Sequence, residues 1–194
     1  MTHITWPSTI TGANSGTWDS LTRMSLCLFA GIHIGGGGGY NLYDFMDDFM
    51  TAHKNAGGIV INWLIFGSSG HITKPEGGVL ENYTKCAAKE HDPWTKGICD
   101  PMKIMCAGMH RPLYVRGYYS LNENGEIQLN TYSREKHFQY IRINHYVTKS
   151  KEEFIAKRNR GRATQIDYSV QWPMSYFESQ DRNEFTDTEI LSRA

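Results

Sequence analysis

Residues 59–71 read IVINWLIFGSSGH. The stretch 59–66 is a continuous apolar, β-branched run of the kind that forms a strand buried on both faces. Such a strand needs sheet neighbours on each side and helices over the sheet, which places the chain in the α/β class. GSSGH at 67–71 then leaves the strand at its carboxyl end, where ligands collect in open α/β sheets.

Upstream, YNLYDFMDDFMTAHKNAGG at 40–58 carries Leu42, Phe45, Met46, Phe49 and Met50 at spacings of three and four, an amphipathic helix. Asn41 is its N-cap, and Gly57-Gly58 is its expected end. Downstream, LENYTKCAAKEH at 80–91 suits a second helix. TKGICDPMKIMCAG at 95–108 holds one or two short strands broken at Pro101. RPLYVRGYY and FQYIRINHY read as strands, with NENGE at 122–126 as a turn. SKEEFIAKRNRGRA starts a helix at Ser150, whose cap is completed by Glu153 three residues later. The tail at 172–193 is polar with a short last helix, and no internal repeat is present.

Residues 1–39 have a different texture. They are rich in Thr, Ser, Gly and Asn and sustain neither period, apart from SLCLFAGIHI at 25–34, which suits one strand. The pentaglycine Gly35 to Gly39 reads as a flexible joint. A phosphate-cradling loop is the alternative, but it needs spaced glycines and a basic partner, and no Lys follows.

The chain has 194 residues, with 20 Lys plus Arg against 20 Asp plus Glu, so its formal charge is zero. That balance gives no general attraction to nucleic acid or to an anionic membrane, and an anionic ligand needs a local basic cluster. Hydrophobic residues at 40% are enough for a core and exclude a disordered chain. The 11 Tyr and 19 Gly suit either a polar-aromatic sugar surface or half-buried strand positions. Cys27, Cys86, Cys99 and Cys106 have no zinc or redox spacing and are expected reduced and buried. No signal peptide is recognisable, and the longest apolar stretch, 26–34, is about half a membrane helix. A cytoplasmic protein is the expectation.

Several residues could carry chemistry. Asp44, Asp47 and Asp48 share one helix face, either as oxygen ligands for a hard cation or as the solvated side of the helix. Glu81 opens a helix after the buried strand and its loop, where a carboxylate serves as a general base or simply meets the helix dipole. His71, His110 and His145 stand apart from one another and form no zinc motif, and GSSGH lacks the spacing of a nucleophile elbow. Lys149, Lys151, Lys157, Arg158, Arg160 and Arg162 form a basic cluster after His145. It suits a diphosphate or, with Glu152 and Glu153 paired onto it, a solvated helix.

Four strings and one histidine taken in order carry a resemblance: INWLIFGSSGH (61–71), KPEGGVLENYTKCA (74–87), WTKGICDPMKI (94–104), His110, and RINHYVTKSKEEFIAKRNRGRA (142–163). Together they resemble the carboxyl half of glycosyltransferase family 92, the former domain-of-unknown-function 23 group, especially its bacterial members. The resemblance covers residues 40–194 and implies a GT-A type α/β fold, a mixed sheet with flanking helices. It implies sugar transfer from a nucleotide-sugar donor to a glycan hydroxyl, as in polysaccharide biosynthesis, with Mn²⁺ or Mg²⁺ on the diphosphate. By position, His145 would be the late metal ligand, Lys149 would neutralise phosphate, and Glu81 would be the catalytic base. Trp63, Ser69 and His71 would shape the acceptor side.

This sequence departs from the family before residue 40. The family's acidic D-x-D-E-F segment is replaced by CLFAGIHIGGGGG, with no acid between Met24 and Gly39. The amino-terminal nucleotide-binding strands are also missing. Residues 1–39 are therefore read as non-family sequence, and the remainder as a partial GT-A domain that is a transferase by lineage. A non-catalytic remnant that binds carbohydrate is the alternative. A partial sheet would leave one edge of the 59–66 strand open for self-association, and contact with a membrane surface would be peripheral.

Overall fold

A computed structural model of the chain describes residues 2–4, 30–34, 41–108, 110–161 and 171–191. The fold is mixed α/β. It divides into two compact units, one from residues 1–63 and 92–144, the other from 64–91 and 145–192.

The central strand of the first unit grows from the apolar run. β3 spans Ala56–Ile65 and is buried at every position, as a strand covered on both faces must be. Around it lie β1 (Thr2–Ile4), β2 (Ala30–Ile34), β5 (Thr95–Cys99), β8 (Tyr119–Leu121) and β9 (Ile141–His145). The sheet order is β1-β2-β9-β3-β5, with β8 also pairing β3. β5 runs antiparallel to β3 and β8 parallel, so the sheet is mixed. β3 therefore has neighbours on both sides, and the expected open edge does not occur at this strand. β1 and β2 pair antiparallel inside the segment read as non-family, while the pentaglycine lies outside the described residues. β6 (Ile104–Cys106) and β7 (Leu113–Tyr114) make a separate small ribbon beyond a 3-10 turn at Pro101–Lys103.

Helix α1 (Leu42–Ala52) forms where the periodicity predicts it, and its five apolar residues are all buried. Asn41 caps it: Oδ1 accepts from the amides of Tyr43 at 2.8 Å and Asp44 at 3.2 Å. Asp44 returns the bond by accepting from the Asn41 amide at 3.1 Å. Of the three helix acids, Asp44 is thus a capping residue, and Asp47 and Asp48 lie exposed. Replacing Asn41 by Ala is expected to lower stability by about 1 kcal/mol. Asn41→Asp should retain it, and the urea unfolding midpoint checks both.

The helix ends at Ala52, earlier than expected, because Gly57 and Gly58 belong to β3. A Cβ on Gly57 would meet the Tyr114 ring at 2.3 Å, and one on Gly58 would meet the Ile98 carbonyl at 2.3 Å. These glycines permit close approach inside the sheet and are not a helix stop.

In the second unit, α2 covers only Val79–Asn82, against the long helix expected over 80–91. The Asn82 side-chain amide donates to the carbonyls of Glu76 at 2.7 Å and Gly78 at 2.9 Å, which competes with helix continuation. The chain then extends into β4 (Lys85–Cys86), paired antiparallel with β10 (Phe185–Thr186). α3 (Lys151–Asn159) and α4 (Met174–Gln180) complete the unit. Its core includes Phe66, Tyr83, Phe154 and Ile190, each at most 2% exposed.

The cysteine expectation needs one correction. Cys86 and Cys99 are buried, and burial pushes the Cys99 thiol up to about 11. Cys106, in the small β6–β7 ribbon, is exposed. Cys27 lies outside the described residues. Among the described residues no helix is long and apolar enough to cross a membrane.

Candidate functional site

Ser69, His71, Glu81, His145 and Lys149 all fall in the second unit. Three chain segments are laced together there by backbone bonds. The Phe66 amide donates to the His145 carbonyl at 3.0 Å, and the Gly67 amide to Lys85 at 3.0 Å. The Lys151 amide reaches the His71 carbonyl at 3.3 Å, and Glu152 the Ile72 carbonyl at 2.9 Å.

The GSSGH loop is rigid, and its amides are occupied. Ser68 donates to Asp181 Oδ1 at 2.6 Å and Ser69 to Asn183 Oδ1 at 2.8 Å. Gly70 donates to Ser68 Oγ at 3.1 Å and His71 to the Ser68 carbonyl at 3.0 Å. A loop whose N–H groups are all bonded within the protein offers no backbone cradle for phosphate. Asp181 and Asn183, which pin this loop, lie in a polar tail whose pattern gave no sign of the role.

A hydrogen-bonded network in this unit is built around Glu153. Its carboxylate accepts from the Tyr83 phenol, from Ser150 Oγ at 2.9 Å, and from the Ser150 amide at 3.4 Å. The Lys149 ammonium lies 3.5 Å away. The Ser150 capping box expected from sequence is therefore real. Its carboxylate also holds a tyrosine and a lysine, which spacing alone does not reveal. Burial raises the Glu153 carboxyl. The bonds from Tyr83 and Ser150 and the charge of Lys149 outweigh that and hold it below the ordinary carboxylate range. Tyr83 responds in the opposite sense: burial, then its bond to Glu153, pushes the phenol up to about 12.

His71 packs edge-on against the Tyr83 ring, with centroids 5.6 Å apart. Its Nε2 lies 3.2 Å from the Asn82 carbonyl, which can only accept. Nε2 therefore carries the proton, and in the neutral ring Nδ1 is the acceptor. Among the described residues, the non-glycine positions with left-handed backbone are Ser69 and Lys149, each at φ 53°. Such strain persists only where the surrounding structure enforces it, and it concentrates at binding and catalytic sites. Both residues stand among those the sequence singled out.

Glu81 is exposed, and its Oε2 accepts from the Gly78 amide at 2.9 Å, a helix-start contact. His145 is half-buried at the end of β9. Within the basic cluster, burial and then the charges of Arg160 and Lys149 lower the Lys157 pKa, and its ammonium donates to the Val147 carbonyl at 3.0 Å. Arg162 lies outside the described residues. Among the described residues there is no group of three or more His, Cys, Asp or Glu side chains able to hold a metal ion. His145 alone does not meet the oxygen-rich, roughly six-ligand preference of Mn²⁺ or Mg²⁺.

Trp63 belongs to the first unit, where it is buried at 7% exposure. The His110 ring meets it edge-on at 5.8 Å, and the Lys96 ammonium sits 5.9 Å from its centre. His110 Nδ1 is fixed by the Thr95 carbonyl at 2.9 Å. Comparison of the chain with protein-family models, with curated proteins and with solved structures gives no match.

Proposed function

We propose that the chain is a glycosyltransferase-type protein that takes a nucleotide-sugar donor and a glycan acceptor, with the second unit serving the donor diphosphate. The observation that carries this reading is the left-handed backbone at Ser69 and Lys149 in the same unit, with Lys149 paired to Glu153 and His71 packed on Tyr83, which donates to that same carboxylate. Lys149 is 18% exposed and held by Glu153, so its charge is oriented before a ligand arrives. It would neutralise phosphate. His71 would offer Nδ1 to a hydroxyl, and Ser69 would hold the loop beside it. Glu81 is the proposed base for the acceptor hydroxyl, a role that competes with its bond to the Gly78 amide.

A divalent cation bound with the donor would stabilise the departing diphosphate, and His145 is the residue this chain would contribute. The described residues do not complete its ligand set. That shortfall favours a second reading, a non-catalytic protein that binds carbohydrate.

Isothermal titration with nucleoside diphosphates in Mn²⁺ tests the first reading. Binding should weaken about tenfold or more in Lys149→Ala, the scale of a lost charge-assisted bond. Thermal unfolding of the variant serves as the check on folding. No heat with any nucleoside diphosphate, with or without metal, removes the donor site and leaves the second reading.

A further inference from the structure

We propose that Trp94 and Tyr132, in the first unit, form a stacking site for a pyranose ring of a neutral glycan. Each side chain is 42% exposed. Their ring centres are 6.2 Å apart and the planes meet at 81°, so the pair offers two aromatic surfaces at nearly a right angle. One pyranose can lie on one ring and abut the other.

The pair is built and held in place by the backbone. Trp94 and Tyr132 face each other across an antiparallel bridge. The Trp94 amide donates to Asp92 Oδ1 at 3.0 Å, Ser133 donates to the Pro93 carbonyl at 2.8 Å, and Thr95 donates to the Thr131 carbonyl at 3.1 Å. The His110 ring lies 5.2 Å from the indole at 34° and also meets the buried Trp63. These supports fix the rings before a ligand arrives, which limits the entropy lost on binding.

Chemistry selects the occupant. An aromatic face carries negative quadrupole charge and attracts the polarised C–H groups on one side of a pyranose. The sugar's hydroxyl rim then needs polar neighbours. Asp92, Thr131, Ser133 and Arg134 flank the two rings in sequence and supply polar groups of that kind. An apolar protein helix would need a wider hydrophobic face than two rings with polar flanks. The site requires neither nucleotide nor metal, so it stands independently of the transferase reading, although a glycan acceptor would be one source of such a ring.

The test uses the full chain and hexasaccharides of glucose, N-acetylglucosamine, xylose, mannose and galactose, followed by tryptophan fluorescence and calorimetry without nucleotide. At least one should bind, and Trp94→Ala and Tyr132→Ala should each weaken it about tenfold or more, with Trp94→Phe retaining part. Thermal unfolding confirms that the variants are folded. Binding unchanged in both alanine variants, binding by none of the hexasaccharides, or preferential capture of a proline-rich peptide overturns the proposal. Nucleoside diphosphate titration on the same protein reports separately on the transferase reading.

Discussion

Glu153→Ala is expected to destabilise the chain by about 2–4 kcal/mol, the cost of leaving several buried polar groups without their acceptor. Tyr83 is 2% exposed and Ser150 fully buried, so neither recovers a water cheaply when the carboxylate is gone. Lys149, at 18% exposure, loses its ion pair as well. Glu153→Gln should fall between the native chain and Glu153→Ala, since an amide oxygen can still accept from the phenol.

The pH dependence follows from the two shifts. Glu153 titrates lower in the folded chain than in the unfolded one. Its stabilisation is complete above the ordinary carboxylate range and is lost as pH falls through the lowered folded value. Tyr83 is raised from 10.0 to about 12, so its contribution is whole below pH 10 and disappears as pH rises through about 12. Urea unfolding of the native chain should therefore weaken at both extremes, and Glu153→Ala should flatten the acid side. Equal midpoints for variant and native chain at pH 7 would remove the network from the account of stability.

The parts of this fold that were legible in the sequence are those governed by local chemistry. The run 59–66 announces a doubly buried strand, the 40–52 stripe announces α1, and Asn41 and Ser150 announce caps that the side chains then make. What was not legible depends on partners far along the chain. The 80–91 segment has helical periodicity, yet Asn82 folds back onto Glu76 and Gly78 and β10 recruits Lys85–Cys86 into a ribbon. Gly57-Gly58 looks like a helix stop until Tyr114 and Ile98 are seen pressing on the strand. The same holds for the site. The family resemblance, carried over by position, singles out Ser69, His71 and Lys149. The bonds that build their surroundings, Tyr83 to Glu153, Ser68 to Asp181 and Ser69 to Asn183, join residues 70 to 114 positions apart, beyond any local pattern.

Gly67→Ala should be the most damaging single-methyl change in the second unit, at about 3 kcal/mol or more. The new Cβ would stand 2.3 Å from the Arg182 carbonyl oxygen and 2.7 Å from Asn183 Oδ1. The first of these is backbone and cannot swing aside, so the loop and the 181–183 segment must separate. Separation strains or breaks the bonds from Ser68 to Asp181 and from Ser69 to Asn183, which hold Ser69 in its left-handed conformation. Gly70, three residues on, provides the comparison. It has φ of 87° and open space around its Cα, so Gly70→Ala meets backbone strain alone, about 1–2 kcal/mol. Urea unfolding midpoints should order the proteins native, Gly70→Ala, Gly67→Ala. If the two variants prove equally stable, the 181–183 segment does not clamp this loop, and the rigidity ascribed to Ser69 has another source.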